Sequence, residues 1–212
     1  MSLNSKGVGG GTYTPIPAGS HASYCFSLVD LGTQDGTYMG KPKIQPKVRI
    51  GFEVPAETVE VEGKDVPMTI YQEYTNMLSD RATLRHHLES WRGKDFTTEE
   101  LECFQLPVLI GKSCIISVVH KTSKAGNLYA QITGIGKLAK GMTLPPMHHT
   151  PVIYDVEQGK DKTFDALPDF LKEKIALCHE WTRPDNAPAE EQHDDDEPIE
   201  GDEPEDEPGV PF

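Results

Sequence analysis

The hydrophobic period changes twice along the chain, and that switch constrains the fold more than any other feature. Ser20–Leu31 (SHASYCFSLVDL), Lys47–Val54 (KVRIGFEV) and Met68–Thr75 (MTIYQEYT) alternate with the period of two expected of strands. Glu62-Gly63-Lys64 supplies the turn before the third, and the Gly/Pro-rich stretch Gly32–Pro46 reads as the connection between the first two. The period then becomes helical. Leu84, Leu88 and Trp91 recur at i, i+4 and i+7 behind Ser79, an expected N-cap, and Gly93 closes the helix. Thr97-Thr98-Glu99-Glu100 is a capping box that opens a second short helix through Phe104. Alternation returns in Ser113–His120 (SCIISVVH) and Leu128–Ile135 (LYAQITGI), joined by a connection containing Gly126, which is the pattern of a hairpin.

Three strands, a helix and two strands is the element order of the five-stranded OB barrel, in which the helix lies between strands 3 and 4. The expected fold is therefore mainly β: an OB barrel over residues 19–140, preceded by an arm over residues 1–18. A Pro/His loop, Gly141–Pro151, and one docking helix, Phe164–Trp181, make up residues 141–182. In that helix Leu171, Ile175 and Cys178 share a stripe, with Leu167 and Phe170 beside it. Residues 183–212 have no periodicity and carry acidic clusters interrupted by Pro, so a disordered acidic tail is expected.

Charge divides along the same boundary. The net charge is −14, but 13 of the 34 carboxylates fall in the last 29 residues, which contain no Lys or Arg. The remaining body has 21 acidic and 20 basic residues, so it is nearly neutral and has room for a local basic groove. The four cysteines, Cys25, Cys103, Cys114 and Cys178, form no CxxC pair and read as reduced thiols of a cytosolic protein. No apolar run reaches membrane-span length and the first residues carry no apolar leader.

Signals for catalysis are weak. Gly111-Lys112-Ser113 resembles the end of a P-loop, but Leu106 stands where the phosphate cradle needs its first glycine. His86 and His87 are adjacent on a helix and point about 100° apart. His148 and His149 have no carboxylate or thiol at ligand spacing, and no Gly-x-Ser-x-Gly occurs. No cofactor, metal or enzymatic activity is expected.

Binding of single-stranded nucleic acid has better support. It requires cations that track phosphates and aromatic faces that stack on bases. Lys41, Lys43, Lys47 and Arg49 lie on strand 2 and its approach. With Val48, Ile50 and Phe52 as the core face, Lys47 and Arg49 project outward. Ile70 on the core face aims Tyr71 outward, and Tyr38, Tyr74 and Tyr129 are further stacking candidates. Lys112, Lys121, Lys124, Lys137 and Lys140 lie on or beside strands 4 and 5. Tyr24 and Phe26 share a face with Leu28 and, with Trp91, read as core. The bland counterpart is a solvated face of alternating charge. The end of the tail joins an anionic segment to Val210, Pro211 and Phe212, which suits a partner surface with a basic rim and an apolar pocket.

The chain resembles the single-stranded DNA-binding proteins of tailed bacteriophages. The similarity rests on Pro15-x-Pro17-Ala18-Gly19-x-His21, Val29-Asp30-Leu31-Gly32-Thr33-Gln34, Leu88-Glu89-x-Trp91-Arg92-Gly93, Gly111-Lys112 through Tyr129-Ala130, Phe164 through Ile175, and the acidic tail with Pro211-Phe212. The resemblance implies an OB fold and sequence-tolerant binding of single strands in phage replication or recombination, in the cytoplasm of the bacterial host. It also implies recruitment of replication and recombination proteins through the tail. In bacterial relatives of this plan Asp residues directly precede Ile-Pro-Phe, whereas here Pro208-Gly209-Val210 intervenes. The rival reading from the same tail is an acidic DNA mimic or adaptor that occupies basic protein surfaces without binding DNA.

Overall fold

The structure, a computed structural model, describes residues 14–38 and 40–182. Its frame is a curled antiparallel sheet that forms a half-barrel, with strand order β3-β2-β1-β4-β5. The strands are β1 (Gly19–Tyr38), β2 (Lys41–Val61), β3 (Lys64–Thr75), β4 (Ser113–Thr122) and β5 (Leu128–Gly136). A sixth, β6 (Val152–Tyr154), runs parallel to β1 at Ser27–Val29.

β1 is the hub. Its first residues, Gly19–Tyr24, pair with β4, and its remainder pairs with β2 out to Tyr38↔Lys41. A strand of 20 residues cannot stay straight on a closed core. It bends at two register shifts, between Cys25 and Ser27 and between Asp30 and Gly32. The first shift also changes the phase of the side chains. Cys25 and Leu28 both enter the half-barrel core, so Phe26 does not share their face. Phe26 is buried on the opposite side of the sheet against Tyr71 and His149, and Tyr24 is half-buried. The alternation that groups both rings with Leu28 misses the bulge.

The segment Gly32–Pro46 is not a loop. Apart from the turn at its tip it is a ladder, from Gly32↔Lys47 to Tyr38↔Lys41, so β1 and β2 extend as a two-stranded ribbon. The β2–β3 turn falls where Glu62 and Gly63 both adopt positive φ, 50° and 76°, as a two-residue hairpin turn needs.

The first core lies inside the half-barrel. Val48, Ile50, Phe52 and Ile70 meet Cys114, Ile116, Val118 and Ile132 there, all nearly sealed from solvent. Each such side chain contributes about 1.5–3 kcal/mol on burial. Helix α1 (Thr83–Arg92) closes this core with Leu84, Leu88 and Trp91, as the spacing requires. It starts later than Ser79: Ala82 is the N-cap, and the Ser79 carbonyl instead accepts Ala82 N–H in a turn. Gly93 ends α1 in the left-handed conformation. The capping box of α2 (Thr98–Cys103) is complete in both directions at Thr97 and Glu100.

The second core lies on the other side of β1. Val29 and Leu31 join Tyr154, Val156, Phe164, Leu167, Leu171, Ile175 and Cys178. The helical segment expected over Phe164–Trp181 is three pieces, α3 (Lys162–Ala166), α4 (Asp169–Ala176) and α5 (His179–Thr182). Pro168 is the reason for the first break: it holds Leu167 extended, at ψ 151°, and then caps α4. Among the described residues no helix is long and apolar enough to cross a membrane.

Candidate nucleic-acid interface

β2 divides its side chains cleanly. Val48, Ile50 and Phe52 face the first core, and Lys47, Arg49, Gly51 and Glu53 face the outer side of the sheet. Opposite them on β3 stand Thr75, Glu73, Tyr71 and Thr69. Arg49 and Tyr71 are therefore on the outer face, as their phase requires, but they are covered. The Arg49 guanidinium lies over the Tyr71 ring at 4.2 Å and the Phe170 ring of α4 at 4.9 Å. Arg49 is only 8% exposed. Lys174 of α4 fastens this cover by an ion pair to Glu73 at 2.8 Å. Burial raises the Tyr71 hydroxyl pKa, against the pull of nearby Arg49. The Tyr71 ring has room because Gly51 sits directly across: a Cβ there would stand 2.7 Å from the ring and 2.8 Å from Ser27.

The far end of the same face is closed differently. Glu53 is fully buried and accepts bonds from His148 N–H (2.9 Å), His149 N–H (2.7 Å) and the His149 ring Nδ1 (2.7 Å). Burial alone would raise its pKa, but these donors outweigh burial and hold the carboxyl below its ordinary value. His149 in turn lies on Phe26, with ring centroids 5.1 Å apart. Glu53 thus anchors the Gly141–Pro151 loop onto the sheet. The sequence places no carboxylate beside His148 and His149; the fold brings one from β2. Among the described residues no group of three or more His, Cys, Asp or Glu could hold a metal ion.

Tyr74 belongs to the first core, not to a stacking surface. It is 4% exposed, and its hydroxyl bonds His87 Nδ1 at 2.9 Å. The strand phase already separates it from Tyr71, since Ile70 and Tyr74 are four residues apart on one side. His87 lies on α1, which packs against both edge strands, β3 and β5. Burial lowers its pKa.

The remaining candidates are on hairpins. Lys41 is exposed and Lys43 and Lys47 are half-buried along the β1–β2 ribbon. Lys47 Nζ reaches Thr75 Oγ1 at 3.4 Å. Tyr38 ends β1, but its side chain lies outside the described residues. On the β4–β5 hairpin the exposed Lys121 is the direct cross-strand partner of the half-buried Tyr129, and exposed Lys124 stands near the tip. By register, the β4–β5 hairpin extends beyond the Gly19 end of β1 and the ribbon tip lies at its Tyr38 end. Lys112 is exposed but sits apart, beside the C-terminal end of α1. Val210, Pro211 and Phe212 lie outside the described residues.

The motif Gly32-Thr33-Gln34 docks the C-terminal helices. Glu180 of α5 accepts from Thr33 N–H (2.8 Å) and its hydroxyl (2.6 Å), and Gln34 donates to the Lys174 carbonyl (3.2 Å). A Cβ at Gly32 would meet Cys178 and Glu180 at 2.7 Å, and its φ of 69° also favours glycine. Neither a scan against protein-family models nor a search of curated proteins returns a match for this chain.

Proposed function

We propose that the chain is a non-catalytic single-stranded DNA-binding protein whose half-barrel is of OB type, acting in phage replication or recombination. The observation that carries the reading is the pairing of Lys121 with Tyr129 on one hairpin and the lysines of the ribbon at the other end of β1. A cation beside an aromatic ring offers one group to a phosphate and one to a base. The element order supports the OB assignment, as does α1 packed against both edge strands. In this reading Lys41, Lys43, Lys47, Lys121 and Tyr129 make first contact. Arg49 and Tyr71 set the shape of the face between them. The tail, through Val210, Pro211 and Phe212, recruits replication proteins.

Fluorescence anisotropy with an oligo-dT probe tests this reading. The combined change Lys41→Glu and Lys121→Glu is expected to weaken binding at least tenfold and to flatten its dependence on salt. Tyr129→Ala is expected to cost about 1–3 kcal/mol of binding. Unchanged affinity in both variants would reject the interface. Failure of the unaltered chain to retain any single strand at low salt would favour the adaptor reading.

A further inference from the structure

Lys112 and Lys137, both singled out by the sequence, have no place in the interface described above. They stand together at an apolar cleft of about 420 Å³ beside the C-terminal end of α1. Trp91, Phe104, Val108 and Leu138 form its floor and walls, Arg92 joins the two lysines around it, and no carboxylate lines it. Lys112 and Lys137 are exposed and have no carboxylate partner among the described residues. Arg92 bonds Glu100 at 2.6 Å, but Glu100 also answers Lys94 at 2.6 Å, so one anion serves two cations.

The parts of the cleft are fixed by directed contacts. Trp91 donates its ring N–H to the Ser113 carbonyl at 2.8 Å. Lys112 is tied to β1: Gly111 N–H donates to the Cys25 carbonyl at 2.8 Å, and Cys25 N–H donates to the Lys112 carbonyl at 3.0 Å. The Lys137 stem runs past Gly93, where a Cβ would lie 3.5 Å from it. Phe96 braces two members, with Arg92 over its ring at 4.0 Å and the Phe104 ring 5.0 Å away. Val108, 54% exposed, stands at the mouth.

Such a cleft suits a flat ring with apolar faces that carries an anion. Its volume lies in the roughly 300–1,000 Å³ range of small-ligand pockets. A nucleotide has this chemistry. Its base can lie against the aromatic and aliphatic walls with its polar edge in water at the mouth, while its phosphates face cations. Position agrees. The β4–β5 register runs from Ile115↔Gly136, beside the cleft, to Lys121↔Tyr129 and Thr122↔Leu128 at the other end. From Lys112 to Lys121 the chain rises roughly 30 Å.

We propose that this cleft is a second nucleotide site for the strand held by Lys121 and Tyr129. One base seats against Phe104, Val108 and Leu138 above Trp91, and the phosphates on either side of it meet Lys112 and Lys137. The inference rests on the DNA-binding reading and extends it: the strand continues from the Lys121–Tyr129 pair along β4 and β5 to the end of α1.

The test irradiates the full chain with an oligo-dT probe of about 30 nucleotides carrying 5-iododeoxyuridine, longer than the roughly 4–16 nucleotides that one OB fold covers. Adducts are mapped by mass spectrometry. The expected result is an adduct on Phe104 or Trp91, with its yield reduced at least fivefold by Lys112→Glu with Lys137→Glu, or by Val108→Asp. A probe of about 6 nucleotides, within the span of the first site, should bind these variants as tightly as the unaltered chain. Equal loss for both probes would overturn the inference. Retention of the long probe with no adduct in the cleft would overturn it as well and leave the DNA-binding reading standing. Cleft adducts with free 5-iododeoxyuridine monophosphate but not with the probe would also overturn it, since the cleft would then serve free nucleotides. Failure to retain the long probe at low salt would remove both. All three substituted side chains are exposed, and the adduct position in the unaltered chain decides the matter even if a variant folds poorly.

Discussion

The two faces of β2 differ by one residue of phase and are finished in opposite ways. The inner row, Val48, Ile50 and Phe52, is covered by the neighbouring strands and by α1, which follows soon after in sequence. The outer row, Lys47, Arg49, Gly51 and Glu53, is covered by parts of the chain about 95–125 residues later: His148 and His149 over Glu53, Phe170 over Arg49 and Lys174 on Glu73. The inner face is sealed by shape and the outer face by a few directed contacts. Alternation tells which side a residue takes. It says nothing about what later lies on that side.

That contrast predicts a graded set of stabilities. The largest effect is expected inside. Phe52 is fully buried and its ring lies 5.9 Å from Trp91, so Phe52→Ala leaves a cavity in the core that all five strands of the half-barrel share. Such truncations cost about 3–5 kcal/mol. Its outer-row neighbour Lys47, half-buried and bonded to Thr75, should lose about 1 kcal/mol or less when replaced by alanine. Urea midpoints of the two variants measure the difference directly. A loss at Lys47 as large as that at Phe52 would break the distinction.

Glu53 ranks next. Removing its charge by Glu53→Gln turns a pure acceptor for three donors into a group that also presents N–H to them. A cost of roughly 1–3 kcal/mol is expected at pH 7. The pH dependence gives a sharper signature. The folded-state pKa is below the ordinary value of 4.5, so the unfolded chain takes up the proton first as pH falls. Glu53 therefore contributes stability above about pH 4.5 and loses it as pH falls toward the lower folded value. The gap between the unaltered chain and Glu53→Gln should narrow between pH 6 and pH 3. A gap that stays constant would show that the carboxylate is not what holds the loop.

These contacts also show what the sequence could reveal. The five strands of the half-barrel, the α1 stripe, the capping box at Thr97 and the left-handed cap at Gly93 all rest on local periodicity or local hydrogen bonding, and are readable residue by residue. β6 is not, because three residues behind a Pro/His loop carry no period. The ribbon Gly32–Pro46 was hidden by its Gly and Pro content, although its residues pair one for one across the turn. The bulge at Cys25/Ser27 returns Leu28 to the side of Cys25 and so separates it from Phe26, since one extra residue reverses the side chains that follow it up to the second shift at Asp30/Gly32. For the candidate interface, the phase of Arg49 and Tyr71 was legible and their cover was not. The stripe Leu171, Ile175 and Cys178 identifies α4 as amphipathic but does not announce that Phe170, beside it, ends over a guanidinium.

That last contact gives the smallest and most specific prediction. Phe170→Leu keeps apolar cover over the outer face and removes only the aromatic surface that lies 4.9 Å from the Arg49 guanidinium. A ring over a cation contributes about 0.5–1 kcal/mol at an exposed site and up to about 2 when desolvated; Arg49 is close to the desolvated limit. The expected loss is about 1 kcal/mol. Because Arg49 also contacts Tyr71, and leucine packs differently from phenylalanine, the single variant does not isolate the pair. A double-mutant cycle with Arg49→Met does so, provided each change removes the contact without creating a new one. A coupling energy near zero would mean that α4 covers the outer face only as apolar bulk. The two faces of β2 would then differ in how much is buried, not in the kind of force that closes them.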